Sequence, residues 1–422
     1  MSGKILALGC LVTFSAFATL AQGNLTPLAA PAPSMKSLDQ IEPRVPISAL
    51  PYTISMPGSY YITTNLLVAV NNGIVIAANN VNLDLNGFTI SSIQSPASTG
   101  KGIALGSGSG PVTNITIRNG FITGSVTNNG GTYSGNGFGY GIFQFGGQPA
   151  VNVHVSDVAV SGCQFVGIHL GGSNSVVESC SVNMVGSYGI YAQSISDSSA
   201  MNCGNFGIYA TASANNCSGS SSGGNGLSAA SAENCYGSST IGNGISAINA
   251  LNCYGTSGSG TGLSATIVEN CYGTSSSGTG VAGTTVANSY GTSGGGGSGI
   301  SANNAQNSYG TSSANGTGLS ASIAQNCYGG SSIGTGISGN VVQSSYGLSN
   351  GQSGYGIYTA SAHNCYGYNS GSGIGIYATS VALGCVGFSN NGTGLYAYIA
   401  NSCNGLSGTG TGLNFTHNVN SF

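Results

Sequence analysis

A Gly-aliphatic pair recurs at nearly constant spacing, and this repeat constrains the fold more than any other feature of the chain. From Ile190 onward, successive aliphatic members lie 18 to 20 residues apart. The fifteen members are Ile142, Ile168, Ile190, Ile208, Leu227, Ile245, Leu263, Val281, Ile300, Leu319, Ile337, Ile357, Ile376, Leu395 and Leu413. A fixed period near twenty is typical of a solenoid, whose repeats each form one turn. Each repeat is too short for two helices and poor in helix formers, so we expect β-strands.

A second column of small apolar residues stands two positions before a recurrent Asn, with a mostly polar residue between. In one repeat, Val268 is followed by Glu269 and Asn270. This period of two indicates a strand with one buried face, so both apolar columns should point inward. The small column consists of Ala232, Ala250, Val268, Val286, Ala305, Ala324, Val342, Ala362, Ala382 and Ala400.

The recurrent Asn predicts a sharp corner, because Asn tolerates left-handed backbone and its stacked amides can hydrogen-bond between coils. This column is Asn202, Asn216, Asn234, Asn252, Asn270, Asn288, Asn307, Asn326 and Asn364. Cys follows it at Cys203, Cys217, Cys235, Cys253, Cys271, Cys327, Cys365, Cys385 and Cys403. Inward Cys on neighbouring coils keeps its Cβ atoms beyond the ~3.8 Å of a disulfide, so we expect free, buried thiols.

The sequence predicts three segments. Residues 1–21 are typical of a secretory signal peptide, because an apolar run follows Lys4 and ends near Ala21. Residues 22–50 are Pro-rich and predict an extended linker or N-terminal arm. Residues 51–422 predict the β-helix, with a cap and irregular coils over 51–141 and regular coils over 142–422. We expect a secreted, cell-surface or periplasmic protein whose mature chain has no membrane span.

Charge excludes several functions. Only 3% of residues are charged, against roughly 25% in an ordinary domain, and the net charge is −3. No basic stripe is present, which argues against nucleic acid as a partner. The four His residues lack metal-ligand spacing, so neither a metal nor another cofactor is predicted.

The chain resembles the exported right-handed parallel β-helix repeat proteins of environmental bacteria. The segments that carry the resemblance are Ile41-Glu-Pro-Arg-Val-Pro-Ile47, Pro57-Gly-Ser-Tyr-Tyr61 and Val81-Asn-Leu-Asp-Leu-Asn-Gly-Phe-Thr-Ile90. The resemblance implies the pectate-lyase-like superfold, an all-β, right-handed parallel β-helix. It implies no settled activity, because that superfold hosts lyases, hydrolases, adhesins and binding rods.

Two acids and one His are the weak candidates for catalysis. Asp157 and Asp197 each lie five residues before the predicted corner, at Gly162 and Asn202. That spacing predicts two coils of separation, about 9.6 Å, near the ~6.5–9.5 Å between the carboxyls of inverting glycosidases. His169 alternates outward and could lie near them. The competing interpretation is two solvated surface acids.

A Tyr column follows the Cys column and is the candidate binding surface. It consists of Tyr236, Tyr254, Tyr272, Tyr290, Tyr309, Tyr328, Tyr346 and Tyr366. Alternation points it outward, where aromatic rows stack on sugar rings, although Tyr could instead fill the core or stack for stability alone. The first hypothesis is therefore a non-catalytic exported rod that binds polysaccharide or a cell-surface glycan, or serves in surface attachment. The alternative is a carbohydrate-active enzyme, a polysaccharide hydrolase or lyase, that uses acids near Asp157 and Asp197.

Overall fold

The computed structural model describes residues 42–69, 71–97, 99–106, 110–144 and 150–421. The described residues from Arg44 onward belong to one compact unit, a parallel β-solenoid of about 19 turns. Every regular element in these ranges is a strand, and none of them contains a helix that could cross a membrane. The predicted all-β, parallel β-helix class is confirmed. The predicted signal peptide and the arm before residue 42 lie outside the described residues.

The described part of the irregular N-terminal coils contains twelve strands. They are β1 Val45–Ile47, β2 Tyr52–Ile54, β3 Gly58–Ile62, β4 Leu66–Val68, β5 Ile74–Ile76, β6 Val81–Asp84, β7 Thr89–Ser92, β8 Lys101–Leu105, β9 Thr113–Thr123, β10 Thr127–Asn129, β11 Thr132–Ser134 and β12 Tyr140–Gln144. Strand β1 pairs in parallel with β3, and Ile47 is fully buried. The solenoid thus begins inside the predicted 22–50 arm, because this short strand already supplies a core residue.

Eight strands lead into the regular repeat. They are β13 Val151–Cys163, β14 Val166–His169, β15 Ser175–Glu178, β16 Ser181–Val185, β17 Ile190–Ser196, β18 Ser199–Cys203, β19 Ile208–Asn215 and β20 Ser218–Ser221. Before them, β10 and β11 form an antiparallel hairpin. The hairpin is held against later coils, since the Tyr133 hydroxyl donates to the Asn202 carbonyl at 3.0 Å.

From β21 each coil contains one long and one short strand. The long strands are β21 Leu227–Glu233, β23 Ile245–Leu251, β25 Leu263–Glu269, β27 Val281–Ala287, β29 Ile300–Gln306, β31 Leu319–Gln325, β33 Ile337–Gln343, β35 Tyr355–His363, β37 Ile374–Leu383, β39 Leu395–Asn401 and β41 Leu413–Val419. The short strands are β22 Tyr236–Ser239, β24 Tyr254–Ser257, β26 Tyr272–Ser275, β28 Tyr290–Ser293, β30 Tyr309–Ser312, β32 Tyr328–Ser331, β34 Tyr346–Ser349, β36 Tyr366–Asn369, β38 Val386–Ser389 and β40 Asn404–Ser407. Long strands pair in parallel with long strands and short with short, which places equivalent residues of successive coils in columns.

The inward columns match the predicted alternation. In β25, Leu263 and Val268 are fully buried, while Thr266 and Ile267 are exposed side by side where the strand bends. All ten members of the small apolar column are buried, and so are fourteen of the fifteen aliphatic members. The exception is Leu413, which lies in the last described coil.

Glycine allows the two sheets of each coil to touch through their backbones. A Cβ on Gly273 of the short strand would lie 2.3 Å from the carbonyl oxygen of Gly280. A Cβ on Gly262, beside the long strand, would lie 2.4 Å from the amide nitrogen of Thr274. Real Cβ atoms essentially never approach other atoms so closely, so glycine is required at both places. The coil is consequently narrow, and its core holds one residue of the Gly-aliphatic column, one of the small apolar column and several other small side chains.

Small hydrogen-bonding side chains complete the interior. The Cys271 amide donates to Ser289 Oγ at 3.1 Å, and the Cys253 amide donates to Cys271 Sγ at 3.4 Å. Ser and Cys therefore alternate freely in this column, because each accepts the amide of the coil before. A buried Ser column that the sequence did not reveal ends the short strands, where Ser275 Oγ donates to the Gly260 carbonyl at 2.6 Å. The hydrogen bonds of this Ser column hold the Gly-rich turns in place.

The predicted corner is present, with one correction to its membership. The Asn column has left-handed φ values, 53° at Asn270 and 50° at Asn307. Amide hydrogen bonds link some neighbouring coils, such as Asn326 Nδ2 to Asn307 Oδ1 at 3.2 Å. The assignment of Asn202 and Cys203 to these columns is wrong. Cys203 pairs with Ser221 at the far end of a short strand, because the longer β18 places an Asn-Cys pair there by coincidence.

An ion cluster stabilises the N-terminal coils. Asp84 is buried between Arg44 at 3.3 Å and Arg118 at 3.4 Å. It also accepts the Asn86 amide at 2.8 Å. These donors compensate the carboxylate for its lost hydration, which is why an acid can occupy an inner position here.

Replacing a glycine at which the two sheets of the coil touch through their backbones should destabilise the solenoid. We expect Gly310→Ala to lower the free energy of unfolding by about 1–3 kcal/mol, since its Cβ would meet the Gly318 carbonyl oxygen at 2.3 Å. Gly296→Ala is the matched control, because a Cβ there meets nothing within 4 Å. Urea titration measures both variants, and equal stability of the two would contradict the backbone-contact explanation.

The thiols should be unreactive in the folded protein. All eleven described cysteines are free and buried, and burial raises the pKa of Cys163 and of Cys180 to about 12. We expect an aromatic disulfide reagent to modify almost none of the eleven in native buffer, because it cannot reach buried sulfur atoms, and all of them in denaturant. Rapid modification of several thiols in the native state would show that the column opens.

Candidate binding groove

The eight tyrosines form one continuous ladder on the outer face of the short-strand sheet. Each begins a short strand, and the register pairs Tyr272 with Tyr254 on one side and Tyr290 on the other. Exposed fractions are 37–38% at five positions, Tyr236, Tyr254, Tyr309, Tyr346 and Tyr366. The other three are partly buried. The core between the sheets has no room for these rings, because the residue that follows each tyrosine is a glycine whose backbone touches the opposite side of the coil.

The ladder rings stack on one another. Their centroids are 4.2 to 5.5 Å apart, and neighbouring planes are within 20° of parallel. Ring faces inside the ladder are therefore covered by the rings above and below. The expectation that a sugar ring would stack on an exposed tyrosine face is wrong for these positions. The ladder offers ring edges and phenolic hydroxyls instead.

A groove runs along the solenoid between the Tyr ladder and the Asn corner. Two consecutive cavities of 580 and 660 Å³ define it, and they share Asn307. Asn side chains form one wall and Tyr rings the other, with the Cys and Ser column beneath. The groove extends from Asn252 to Val386 across eight coils, which is about 34 Å at the usual strand spacing.

The groove presents phenolic hydroxyls, together with Asn amides whose hydrogen bonds between coils use only part of their capacity. Among the residues that the structure describes, no ladder hydroxyl donates to an acceptor outside the ladder. Each phenol can both donate and accept, and each Asn amide can do the same. Burial, followed by the neighbouring tyrosines, raises the pKa of Tyr328 to about 12. The Tyr328 phenol thus stays protonated at neutral pH.

The two candidate acids occupy the corner column itself. Asp157 and Asp197 have left-handed φ values of 54° and 49°, and Ser179 lies between them in the column. They are two coils apart, as predicted, although the alignment to Asn202 behind that prediction is wrong. Asp197 Oδ1 accepts a hydrogen bond from Asn216 Nδ2 at 3.0 Å. Both acids take the place that Asn fills in later coils.

His169 is not brought to these acids by any contact that the structure describes. It lies in β14, on the long-strand side, stacked between Phe143 at 5.0 Å and Tyr191 at 4.6 Å. Burial lowers its pKa, so the ring is neutral at neutral pH. The three weak catalytic candidates therefore do not form a cluster. No group of three or more potential metal ligands occurs in the described ranges.

Two further aromatic columns escaped the sequence reasoning. Both occupy the position directly after the Gly-aliphatic pair. One consists of Phe143, His169, Tyr191 and Tyr209, and the other of Tyr358, Tyr377 and Tyr396. Small residues, mostly Ser, fill this position in the coils between them. Reading one residue beyond each pair would have revealed both columns.

Comparison with known proteins identifies no family. No family model matches the chain, and no curated protein matches it. Among solved structures, the chain is similar to the A-module of the mannuronan C-5 epimerase AlgE6 of Azotobacter vinelandii. The two share 12% identity, and the match covers 87% of this chain and 91% of that one, with a TM-score of 0.26.

Ionisation of the ladder should weaken the fold at high pH. The pKa of Tyr328 is about 12 in the folded protein and 10.0 ordinarily, so the unfolded chain loses this proton first as pH rises. The contribution of Tyr328 to the free energy of unfolding is therefore fully present below pH 10 and is lost between about pH 10 and 12. Urea unfolding across this window should show a steeper loss for the native protein than for Tyr328→Phe. If both proteins lost stability with pH at the same rate, ionisation of Tyr328 would not be linked to unfolding.

Proposed function

We propose that this protein is an exported, non-catalytic β-solenoid rod that binds a polysaccharide along the Tyr–Asn groove. The observation that carries the proposal is the continuous groove, in which a corner residue recurs in all eight coils and a Tyr in seven of them, with Val386 at the Tyr position of the last. Export rests on the predicted signal peptide. Attachment to a glycan-bearing surface is the use that such a rod would serve.

Regular spacing favours a linear, repeating ligand. The coils repeat at about 4.8 Å, and the ladder ring centroids follow this repeat at 4.2 to 5.5 Å. A polymer with hydroxyls at regular intervals can therefore make the same contact at each coil. Each contact is weak, but contacts along one chain add through effective concentration. A single small molecule would use only a fraction of the groove.

Binding in this groove depends on hydrogen bonds and ring edges. Phenolic hydroxyls and Asn amides can pair with sugar hydroxyls, while the rings supply apolar contact to sugar C–H groups. The covered ring faces have a structural role, because aromatic pairs at these distances stabilise neighbouring coils. One column thus combines stability with recognition.

The alternative hypothesis, a carbohydrate-active enzyme, gains no support from the observed contacts. Asp157 and Asp197 lie in the corner column, and His169 stacks among aromatic rings elsewhere. The Tyr–Asn groove contains hydroxyls, amides and buried thiols but neither a carboxylate nor an imidazole along its walls. These contacts favour the binding proposal over the enzyme hypothesis.

Removing ladder hydroxyls should weaken polysaccharide binding. We expect the triple variant Tyr272→Phe, Tyr290→Phe, Tyr309→Phe to lose roughly tenfold in affinity, about 1.4 kcal/mol, while its rings still stack. The matched control is Tyr358→Phe, Tyr377→Phe, Tyr396→Phe, which removes three hydroxyls from a stacked column outside the groove. The measurement is depletion from solution by a panel of insoluble polysaccharides.

Circular dichroism checks that both variants remain folded. Equal loss in the two triple variants would place binding elsewhere. Retained binding in both would exclude the ladder hydroxyls, and the absence of binding to every polysaccharide would overturn the proposed function.

A further inference from the structure

The groove is almost free of formal charge. After Glu269 the chain contains no Asp, Glu, Lys or Arg, so the coils that carry Tyr290 to Tyr366 have none of these side chains. The last Lys or Arg in the sequence is Arg118, many coils earlier, and it pairs with Asp84 at 3.4 Å. A ligand in the groove would therefore meet no Lys or Arg along its walls.

In the described coils that carry the ladder, the Asp, Glu, Lys and Arg side chains are all acidic. Glu233 and Glu269 directly precede corner asparagines at the N-terminal end of the ladder. Glu269 is exposed, and Glu233 is partly exposed, with a carboxylate oxygen 3.3 Å from Asn215 Nδ2. An anionic polymer entering at this end would be repelled, and nothing further along would compensate it.

Uncharged groups define what the groove can recognise. Its walls offer phenolic hydroxyls, Asn amides and ring edges, all of which pair with neutral hydroxyls and C–H groups. A carboxylated or sulfated chain would carry one charge at each repeat into a partly enclosed groove. Each such charge would lose hydration without gaining a cationic partner, which is unfavourable.

We propose that the groove selects an uncharged, extended polysaccharide over an anionic one. This inference rests on the proposed function and specifies the ligand class of the same site. Selection arises from hydroxyl pairing along the neutral coils and from the two acids at the N-terminal end. Affinity increases with chain length until the ligand spans the eight coils of the groove, because each added unit meets another corner residue and, in all coils but the last, another Tyr.

The test compares two polymers that differ only in charge. Soluble β-glucan oligomers of graded length are compared with the same oligomers oxidised at C6 to uronates, by calorimetry on the full chain. We expect the neutral series to bind at least tenfold more tightly and to show little dependence on salt. The oxidised series should bind better as salt rises, since screening reduces the repulsion by Glu233 and Glu269.

The outcomes separate the two proposals. Equal or tighter binding of the oxidised series, with loss in the Tyr272, Tyr290, Tyr309→Phe variant, would overturn charge selection and leave the groove as the binding site. Binding of neither series, or binding that this variant does not change, would overturn the groove itself. An affinity that stops rising well before the oligomer spans eight coils would overturn the length argument.

A variant that adds positive charge tests the same inference through a gain in affinity. Thr292 and Thr311 lie two residues after ladder tyrosines, on the outward side of the same strands. We expect Thr292→Lys with Thr311→Lys to raise affinity for the oxidised oligomers several-fold and to leave the neutral series nearly unchanged. Thr292→Gln with Thr311→Gln is the uncharged control of similar length. No gain with the Lys pair would contradict the role of charge.

Discussion

The close approach of backbone to backbone across each coil is the constraint on which the rest of the structure depends. Gly255, Gly273 and Gly291 of successive short strands would each place a Cβ within 2.1 to 2.3 Å of a carbonyl oxygen opposite. Because this contact recurs, successive coils keep one width and stack in register. In-register stacking then aligns every other column, including the corner asparagines, the thiols and the tyrosines.

The candidate site follows from that alignment. A tyrosine that begins each short strand cannot turn inward, since a cross-coil glycine leaves no interior beside it. It must stack on the tyrosines of neighbouring coils at 4.2 to 5.5 Å. The stack shields the ring faces and leaves the hydroxyls outside. A ligand would therefore be recognised by hydrogen bonds to the hydroxyls and not by stacking on the rings. The groove between ladder and corner is thus a consequence of how a narrow coil repeats.

Much of this architecture could be predicted from periodicity. The aliphatic and small apolar columns, the Asn corner and the outward tyrosines were each visible as a residue type at a fixed offset. Prediction failed where local similarity conflicted with register. Asn202-Cys203 copies the corner motif but lies at the end of β18, and Asp84 looks like a turn residue but is buried beside Arg44 and Arg118. Spacing along the chain does not reveal a longer strand or a distant guanidinium.

The sequence by itself determined the solenoid, its period and the direction of its main columns, because alternation and repeat length follow from strand geometry. Only the tertiary structure decided how the columns use their side chains. It showed that tyrosine faces are covered, that Cys and Ser share a hydrogen-bonding position, and that His169 lies apart from Asp157 and Asp197. The physical reason is that these properties depend on distances between coils and across the coil. The sequence of a single repeat gives neither the distance between coils nor the distance across a coil.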